Sequence, residues 1–298
     1  MFNEISIIGL GFMGASIAGA VKAKNSKIII NGYDIAQSNI RYCKSCGLID
    51  GALNLESDIC DCKGDNLIIM CAPPAAIVSL TDAHGAFFRD AQVVTDIGSI
   101  KDAITTNARI KNIENFVGSH PMCGSDKSGP ENADFKLFNG KNCIVIREDF
   151  DLTDKNRANK IEKTAEFWRM IGMNVIYSTA DSHDNIVAYT SHLPHLISFL
   201  LSGTVLNFIL REKGKEEEKG VEILDFISNG FKDSTRIASS SPELWTDIFI
   251  MNSENILASL EDFTVSANIL KGLIETGDRE SLSVRIREIA EQREEVGF

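Results

Sequence analysis

The feature that most constrains this chain is Gly9-Leu10-Gly11-Phe12-Met13-Gly14. It stands directly after the strand-like run Glu4-Ile5-Ser6-Ile7-Ile8 and directly before a helical run from Ala15 to Lys24. A G-x-G-x-x-G spacing in strand-turn-helix context admits few folds. Gly9 permits the tight turn, Gly11 lets the backbone approach a pyrophosphate, and Gly14 lets helix and strand pack closely, while the helix start offers unpaired N–H groups to the phosphates. A second strand-like run, Lys27 to Tyr33, ends at Asp34, about twenty residues beyond the glycines, where an acidic side chain accepts from adenine-ribose hydroxyls. That carboxylate would repel a 2'-phosphate, so NAD is expected over NADP. The cofactor-binding candidates are Gly9, Gly11, Phe12, Met13, Gly14 and Asp34, with Pro73 at the end of the next strand.

The alternation continues through an apolar strand at Asn66 to Cys71, a break at Pro73-Pro74, a helix toward Phe88 and a strand at Gln92 to Thr95. This pattern predicts a doubly wound, Rossmann-type parallel sheet. Further strands are expected at Asn142 to Ile146 and at Asn174 to Tyr177, the last closing the sheet, with a helix from about Asp154 to Ile171 between them. From Asp181 onward no β period is found and long amphipathic helices follow. The expected organisation is therefore a dinucleotide-binding domain over 1–179 and an all-α domain over 180–298, which suits a chain of 298 residues.

The formal net charge of −12 argues against a nucleic-acid or anionic-membrane surface. No basic leader precedes the first strand and no apolar run reads as a membrane span, so a cytoplasmic protein is expected. Seven cysteines suit reduced thiols better than a disulfide framework. Cys43, Cys46, Cys60 and Cys62 could in principle hold zinc, but the second pair has poor spacing and the first sits in a helical-looking segment, so no metal is expected.

Polar equipment gathers in a few places. Asp96-Ile97-Gly98-Ser99-Ile100-Lys101 stands at a strand end, where such sheets bind ligands; Ser99 reads as an N-cap with Asp102 three residues on, and such a hydroxyl also faces the crevice. Gly118-Ser119-His120-Pro121-Met122-Cys123-Gly124-Ser125-Asp126-Lys127-Ser128-Gly129-Pro130 has no apolar periodicity and reads as an ordered, chemically equipped loop. Pro121 pushes the backbone of His120 toward the extended region and restricts where the imidazole points. His192-Leu193-Pro194-His195 places two imidazoles on one helix face without carboxylates at ligand spacing, so packed or substrate-facing roles are expected over a metal pair. Lys232 and Arg236 share a face if helical, and an acidic protein needs such a base to hold an anion. Ser241 and Pro242 start another helix as N-cap and N1, just ahead of Trp245.

Taken together, these segments resemble the prephenate dehydrogenases of tyrosine biosynthesis. The resemblance runs in order through Gly-Leu-Gly-Phe-Met-Gly, Asp-Ile-Gly-Ser-Ile-Lys, Ser-His-Pro-Met-Cys-Gly-Ser-Asp-Lys-Ser-Gly, His-Leu-Pro-His, Phe-Lys-Asp-Ser-Thr-Arg-Ile-Ala and Ser-Pro-Glu-Leu-Trp. Cys123 stands where the family usually has Ala, and Asp126 where it usually has Glu. The resemblance implies NAD-dependent oxidative decarboxylation of prephenate, with arogenate or dual-substrate cyclohexadienyl dehydrogenase as the alternative. It further implies His120 as general base, Ser99 orienting His120, Asp126 tuning the polar network, Arg236 holding a substrate carboxylate, and His195 and Trp245 lining the far end. The helical half resembles the family's dimerisation domain, which implies a homodimer. A β-hydroxyacid dehydrogenase of the same two-domain plan would need a catalytic lysine motif in the helical half, and none is seen. A catalytically idle NAD-binding dimer is the remaining rival.

Overall fold

The computed structural model describes residues 2–56, 65–125, 127–212 and 223–297. Uninterrupted apolar runs build its centre. β1 (Glu4–Ile8) leads into α1 (Phe12–Lys24), β2 (Ile29–Tyr33), α2 (Gln37–Ser45), the two-residue β3 (Gly51–Ala52), β4 (Asn66–Met70), α3 (Pro74–Arg89), β5 (Val93–Asp96), α4 (Asp102–Ile110) and β6 (Phe116–Val117). All pairings are parallel, in the order β3-β2-β1-β4-β5-β6. Ile5, Ile7, Leu67, Ile68, Ile69, Met70, Val93 and Val94 are fully buried, because helices cover both faces of such a sheet and leave no side for polar alternation. Each such side chain contributes about 1.5–3 kcal/mol on burial. The doubly wound architecture expected from the alternation is the one observed.

The sheet does not close with the strand near 174, as the sequence suggested. β7 (Ser119–Pro121), β8 (Asn142–Ile146) and β9 (Asn174–Ser178) form a separate three-stranded sheet, with α5 (Lys155–Met170) between the last two. β7 pairs antiparallel with β8, His120 opposite Ile144, and β8 pairs parallel with β9. His120 thus lies on a strand and not in a loop. Three residues ending in proline are too few to show a period of two, although Ser119 and Pro121 are buried and His120 between them is half-buried.

Beyond β9 no strand follows among the described residues. α6 (Ala180–Val187) passes through a π turn, Ala188–His192, into α7 (Leu193–Glu212); α8 (Asn229–Thr235), a 3₁₀ turn at Arg236–Ser239 and α9 (Pro242–Met251) follow. Pro194 lacks the N–H that the regular helix would use there, and the widened turn stands just ahead of it. Ser241 caps α9 as expected, accepting from the Leu244 N–H at 3.3 Å. One expectation is corrected: the helical run Ala180–Glu212 is long and apolar enough to cross a membrane by length and composition. Its polar residues are mostly uncharged or concentrated at its ends, so an amphipathic reading hid a largely apolar run. Leu200, Leu206, Phe208 and Leu210 on α7 are exposed. The charged stretch Arg211 to Gly220, which reads as a solvated loop between helices, falls largely outside the described residues, as do Cys60 and Cys62; Cys43 is buried and Cys46 exposed. Among the described residues no cluster could hold a metal ion.

By backbone contacts the chain forms two compact units, Met1–Asn252 and Ser253–Phe298. The second is a helix pair, α10 (Ser253–Thr276) and α11 (Arg279–Val296), with Asp278 capping α11 through the Ser281 N–H at 3.1 Å. Leu257, Phe263, Ile269, Ile274, Val284 and Ile289 are exposed on it.

Candidate active site

Two sets of residues at the carboxyl edge of the large sheet make up the site. The first is a cleft of about 600 Å³ lined by Gly9, Gly11, Tyr33, Asp34, Ile35, Cys71, Ala72, Pro73, Leu80 and His84, among others. Gly9 holds φ at +98°, and a Cβ there would lie 2.3 Å from the Cys71 carbonyl oxygen. A Cβ on Gly14 would lie 1.9 Å from the Gly9 carbonyl oxygen, so α1 is pressed onto the turn. Gly11 is different: nothing lies within 4 Å of where its Cβ would be. α1 has no side-chain cap and no acidic residue in its first turn, so the N–H groups of Phe12, Met13 and Gly14 keep the free donors of a helix start. Asp34, at the end of β2, accepts from the Leu10 N–H at 2.7 Å and the Ala36 N–H at 2.8 Å. Its carboxylate is thereby pinned beside the glycine turn with lone pairs left for two hydroxyls. Among the described residues, no lysine or arginine lines the cleft to balance a further phosphate.

The second set is built around β7. Ser119 anchors the strand: its N–H donates to Asp96 Oδ1 at 3.1 Å, its Oγ donates to the Asp96 carbonyl at 2.6 Å, and Trp168 Nε1 donates to that Oγ at 3.0 Å. Lys101 Nζ, fully buried, forms an ion pair with fully buried Asp96 and donates to the Ser119 carbonyl at 2.8 Å. Burial pushes the Asp96 carboxyl up, against the pull of Lys101 and the N–H groups of Ser119 and Gly98. His120 Nδ1 lies 2.9 Å from His183 Nε2, and His183 Nδ1 lies 2.7 Å from Asp184 Oδ1. His120 is held well below the ordinary histidine range, first by burial and then by His183, Lys101 and His192. It is therefore a neutral imidazole near neutral pH, in the state that accepts a proton.

Ser99 is half-buried in the turn between β5 and α4, but it does not cap the helix. The N-cap position is Lys101, whose side chain makes no capping bond. Asp184 supplies the cap from α6: Oδ1 accepts the Lys101 N–H and Oδ2 the Asp102 N–H, each at 2.8 Å. The ring partner of His120 is His183. Asp126 lies outside the described residues. His183 and Asp184 went unrecognised in the sequence because pairing partners 63 and 83 residues apart leave no local spacing to read; Asp96 and Lys101, which pair with each other, lie in the segment the sequence singles out at the end of β5. The only signal was negative: two acids and a histidine in Asp181-Ser182-His183-Asp184, on a helix that otherwise reads as apolar.

At the other end of the row, His192 Nδ1 accepts from Asn252 Nδ2 at 3.2 Å, and that amide also donates to the Asp184 carbonyl at 2.9 Å. Burial holds His192 down to about 4. Trp245 meets the edge of His192 at 6.0 Å and stacks on His195 at 3.7 Å with the planes 22° apart. His195 Nδ1 donates to the Ser191 carbonyl at 2.9 Å, which leaves Nε2 as the acceptor. Burial lowers the His195 pKa most, against the bond to the Ser191 carbonyl, and the Arg236 guanidinium lowers it further. Arg236 is exposed and carries no ion pair among the described residues. Four of the five histidines thus form one row, from a neutral imidazole beside the sheet edge to an aromatic wall. Such a row suits a small anionic, ring-containing substrate.

Residues 17–177 match the family pattern "Prephenate dehydrogenase, nucleotide-binding domain" and residues 179–288 match "Prephenate dehydrogenase, dimerization domain". A cyclohexadienyl dehydrogenase of Zymomonas mobilis is 29% identical over 296 residues, 98% of this chain and 96% of its own length. A prephenate dehydrogenase of Bacillus subtilis is 28% identical over 285 residues, covering 95% of this chain and 73% of its own. The crystal structure of prephenate dehydrogenase from Aquifex aeolicus, in complex with hydroxyphenyl propionate and NAD+, superposes with a TM-score of 0.85 at 30% identity over 99% of each chain. With the two family patterns following one another over residues 17–177 and 179–288, and the histidine row inside them, this chain belongs to the prephenate dehydrogenase family.

Proposed function

We propose that this chain oxidises and decarboxylates prephenate to 4-hydroxyphenylpyruvate with NAD as hydride acceptor. The observation that carries the reading is His120, a buried, neutral imidazole held between the nucleotide cleft and the Trp245 and Arg236 end of the row. The cleft fits NAD: the space beside Gly11 is open, the first turn of α1 is uncapped, and Asp34 stands without a neighbouring cation to welcome a 2'-phosphate. Bound there, the nicotinamide ring supplies the hydride acceptor. His120 accepts the hydrogen bond of the ring hydroxyl and takes its proton as the C–H electron pair departs. Loss of carbon dioxide from the opposite ring carbon aromatises the product, and the proton returns to the phenolic oxygen. No net proton is consumed, so the protein's work is positioning and polarisation. Arg236 pairs with a substrate carboxylate, His195 Nε2 accepts from the substrate, and Trp245 with His195 forms the wall. Ser99 faces the crevice from the turn before α4.

The Zymomonas relative, matched nearly end to end, favours a second reading, a cyclohexadienyl dehydrogenase that also takes arogenate. The two readings differ only in a keto against an amino group on the side chain. Initial rates of reduced-cofactor formation with prephenate and arogenate, each with NAD and NADP, test both. NADH formation from prephenate supports the first reading, comparable efficiency with arogenate supports the second, and no turnover on either overturns both. The exposed apolar side chains of α7, and separately those of α10 and α11, are the surfaces a second copy would cover in a homodimer.

A further inference from the structure

His183 and Asp184 are adjacent on α6, each about 2% exposed, yet neither is buried as an apolar group would be. An ionised carboxylate only accepts hydrogen bonds, and Asp184 accepts from the Lys101 N–H, the Asp102 N–H and the His183 ring. The proton in the His183–Asp184 bond therefore sits on Nδ1 of His183. A ring whose single proton is on Nδ1 keeps a lone pair on Nε2, and that nitrogen of His183 faces His120 Nδ1 at 2.9 Å. One of those two nitrogens must donate, so the proton lies on Nδ1 of His120 and the lone pair on its Nε2, the nitrogen on the far edge of the ring. The strand holding His120 is fixed by Ser119, so the ring has little freedom to choose another partner.

We propose that His183 and Asp184 are positioning residues for the dehydrogenation: Asp184 sets the tautomer of His183, His183 sets that of His120, and the same carboxylate caps the helix that follows the Ser99 turn. One acid thus ties together the base and the loop at the sheet edge, across 83 residues of sequence. Either change alone, losing the cap or losing the tautomer, would displace a group that the reaction needs. This inference rests on the reading of His120 as the base. The charged and titratable groups facing the relay are Lys101, Asp96 and His192, and none of them is placed to substitute for His183.

The test is nitrogen-15 NMR of the imidazoles in the full-length protein, together with steady-state kinetics of four variants. In the unaltered protein His120 is expected to show a protonated Nδ1 and an unprotonated Nε2. A protonated Nε2 on His120 overturns the proposal, whatever the variants do. His183→Phe keeps a ring but removes the acceptor; it should give mixed His120 tautomers and lower kcat roughly ten- to a hundredfold, the scale of losing an orienting partner, with the NAD KM unchanged. His183→Gln retains an acceptor oxygen and should recover at least fivefold of that loss. Asp184→Asn keeps the shape and should lower kcat with partial loss of the tautomer. Full kcat in a folded His183→Phe, or a glutamine no better than phenylalanine, overturns it. His120→Asn separates the two readings: if that variant is inactive while His183→Phe is unimpaired, positioning fails and the base stands. If His120→Asn is fully active, the base reading fails, and this proposal with it.

Discussion

The glycine cleft and the histidine row lie at the same sheet edge but are built in opposite ways. The cleft is made mostly of backbone and comes from short, contiguous stretches, so each part constrains its neighbours in sequence. The row is made of side chains from β7, α6, the π turn, α7 and α9, and each position depends on partners far along the chain. The cleft can therefore be damaged by adding a single carbon, whereas the row is damaged by changing a proton. The largest expected effect falls on the row. His120→Asn should lower kcat by roughly 10² or more, the usual scale of general-base loss, and leave NAD affinity intact. Stopped-flow binding of NAD beside steady-state rates checks both halves, and a parallel loss of NAD affinity would show that the two regions are not separable.

The second difference is their response to acid. An unfolded histidine titrates near 6.5, while folded His192 is held down to about 4 by burial. Between those values the unfolded chain binds the proton and the folded chain does not. Stability from His192 is therefore fully present above the unfolded value and is lost as pH falls toward the folded one. The upper bound is about 3 kcal/mol, and His120 adds in the same direction. Urea melts at steps from pH 7.5 to 4.5 should show a flatter pH dependence for His192→Asn than for the unaltered protein. Carboxylates acidify both alike, so the difference between the two curves isolates the histidine. Equal slopes would mean that His192 is not held neutral by its surroundings.

These two contrasts also explain what could be read from the residues alone. Gly9, Gly11, Gly14 and Asp34 were legible because a turn, a helix start and a strand end each demand particular residues at fixed spacing. His120, Arg236 and Trp245 stood out through chemical type and family resemblance, and the geometry groups His120 with His192 and His195 in one row. Ser99 was misread as an N-cap because a local serine is the common solution, and a carboxylate from α6 does that work here. The separate sheet of β7, β8 and β9 was missed because a parallel-sheet reading extends any apolar run into one sheet, and nothing local marks where pairing reverses. The long apolar run through α6 and α7 was missed for a related reason. Its buried polar residues, His183, Asp184, His192 and Ser198, break the hydropathy just enough to look amphipathic.

Within the row, Arg236 should act on affinity more than on chemistry. It is exposed and unpaired among the described residues, so its interaction with a carboxylate is screened and worth less than a buried pair. Arg236→Ala should raise the prephenate KM roughly tenfold with a small change in kcat, since the guanidinium holds the anion both before and during reaction. Lysine should restore only part of that, because a point charge does not reproduce the two-pronged contact. A loss confined to kcat would move Arg236 from substrate holding to the reaction centre.

The smallest expected effect tests the cleft where it is least protected. Alanine at Gly9 would require a side chain at φ +98° and 2.3 Å from a carbonyl oxygen, and alanine at Gly14 would meet backbone at 1.9 Å. Both changes confound folding with binding. Gly11 sits at φ −73°, which alanine tolerates, and its Cβ would meet no protein atom within 4 Å. Gly11→Ala should therefore leave the melting temperature unchanged or slightly raised, yet place a methyl group where the pyrophosphate must approach. An increase in the NAD KM of about fivefold, near 1 kcal/mol, is expected with prephenate KM unmoved. The comparison has force because the same carbon is harmless to the fold and harmful only to a ligand. If NAD affinity were unchanged, the open space beside Gly11 would not be the phosphate site, and the N–H groups of α1 would need another role.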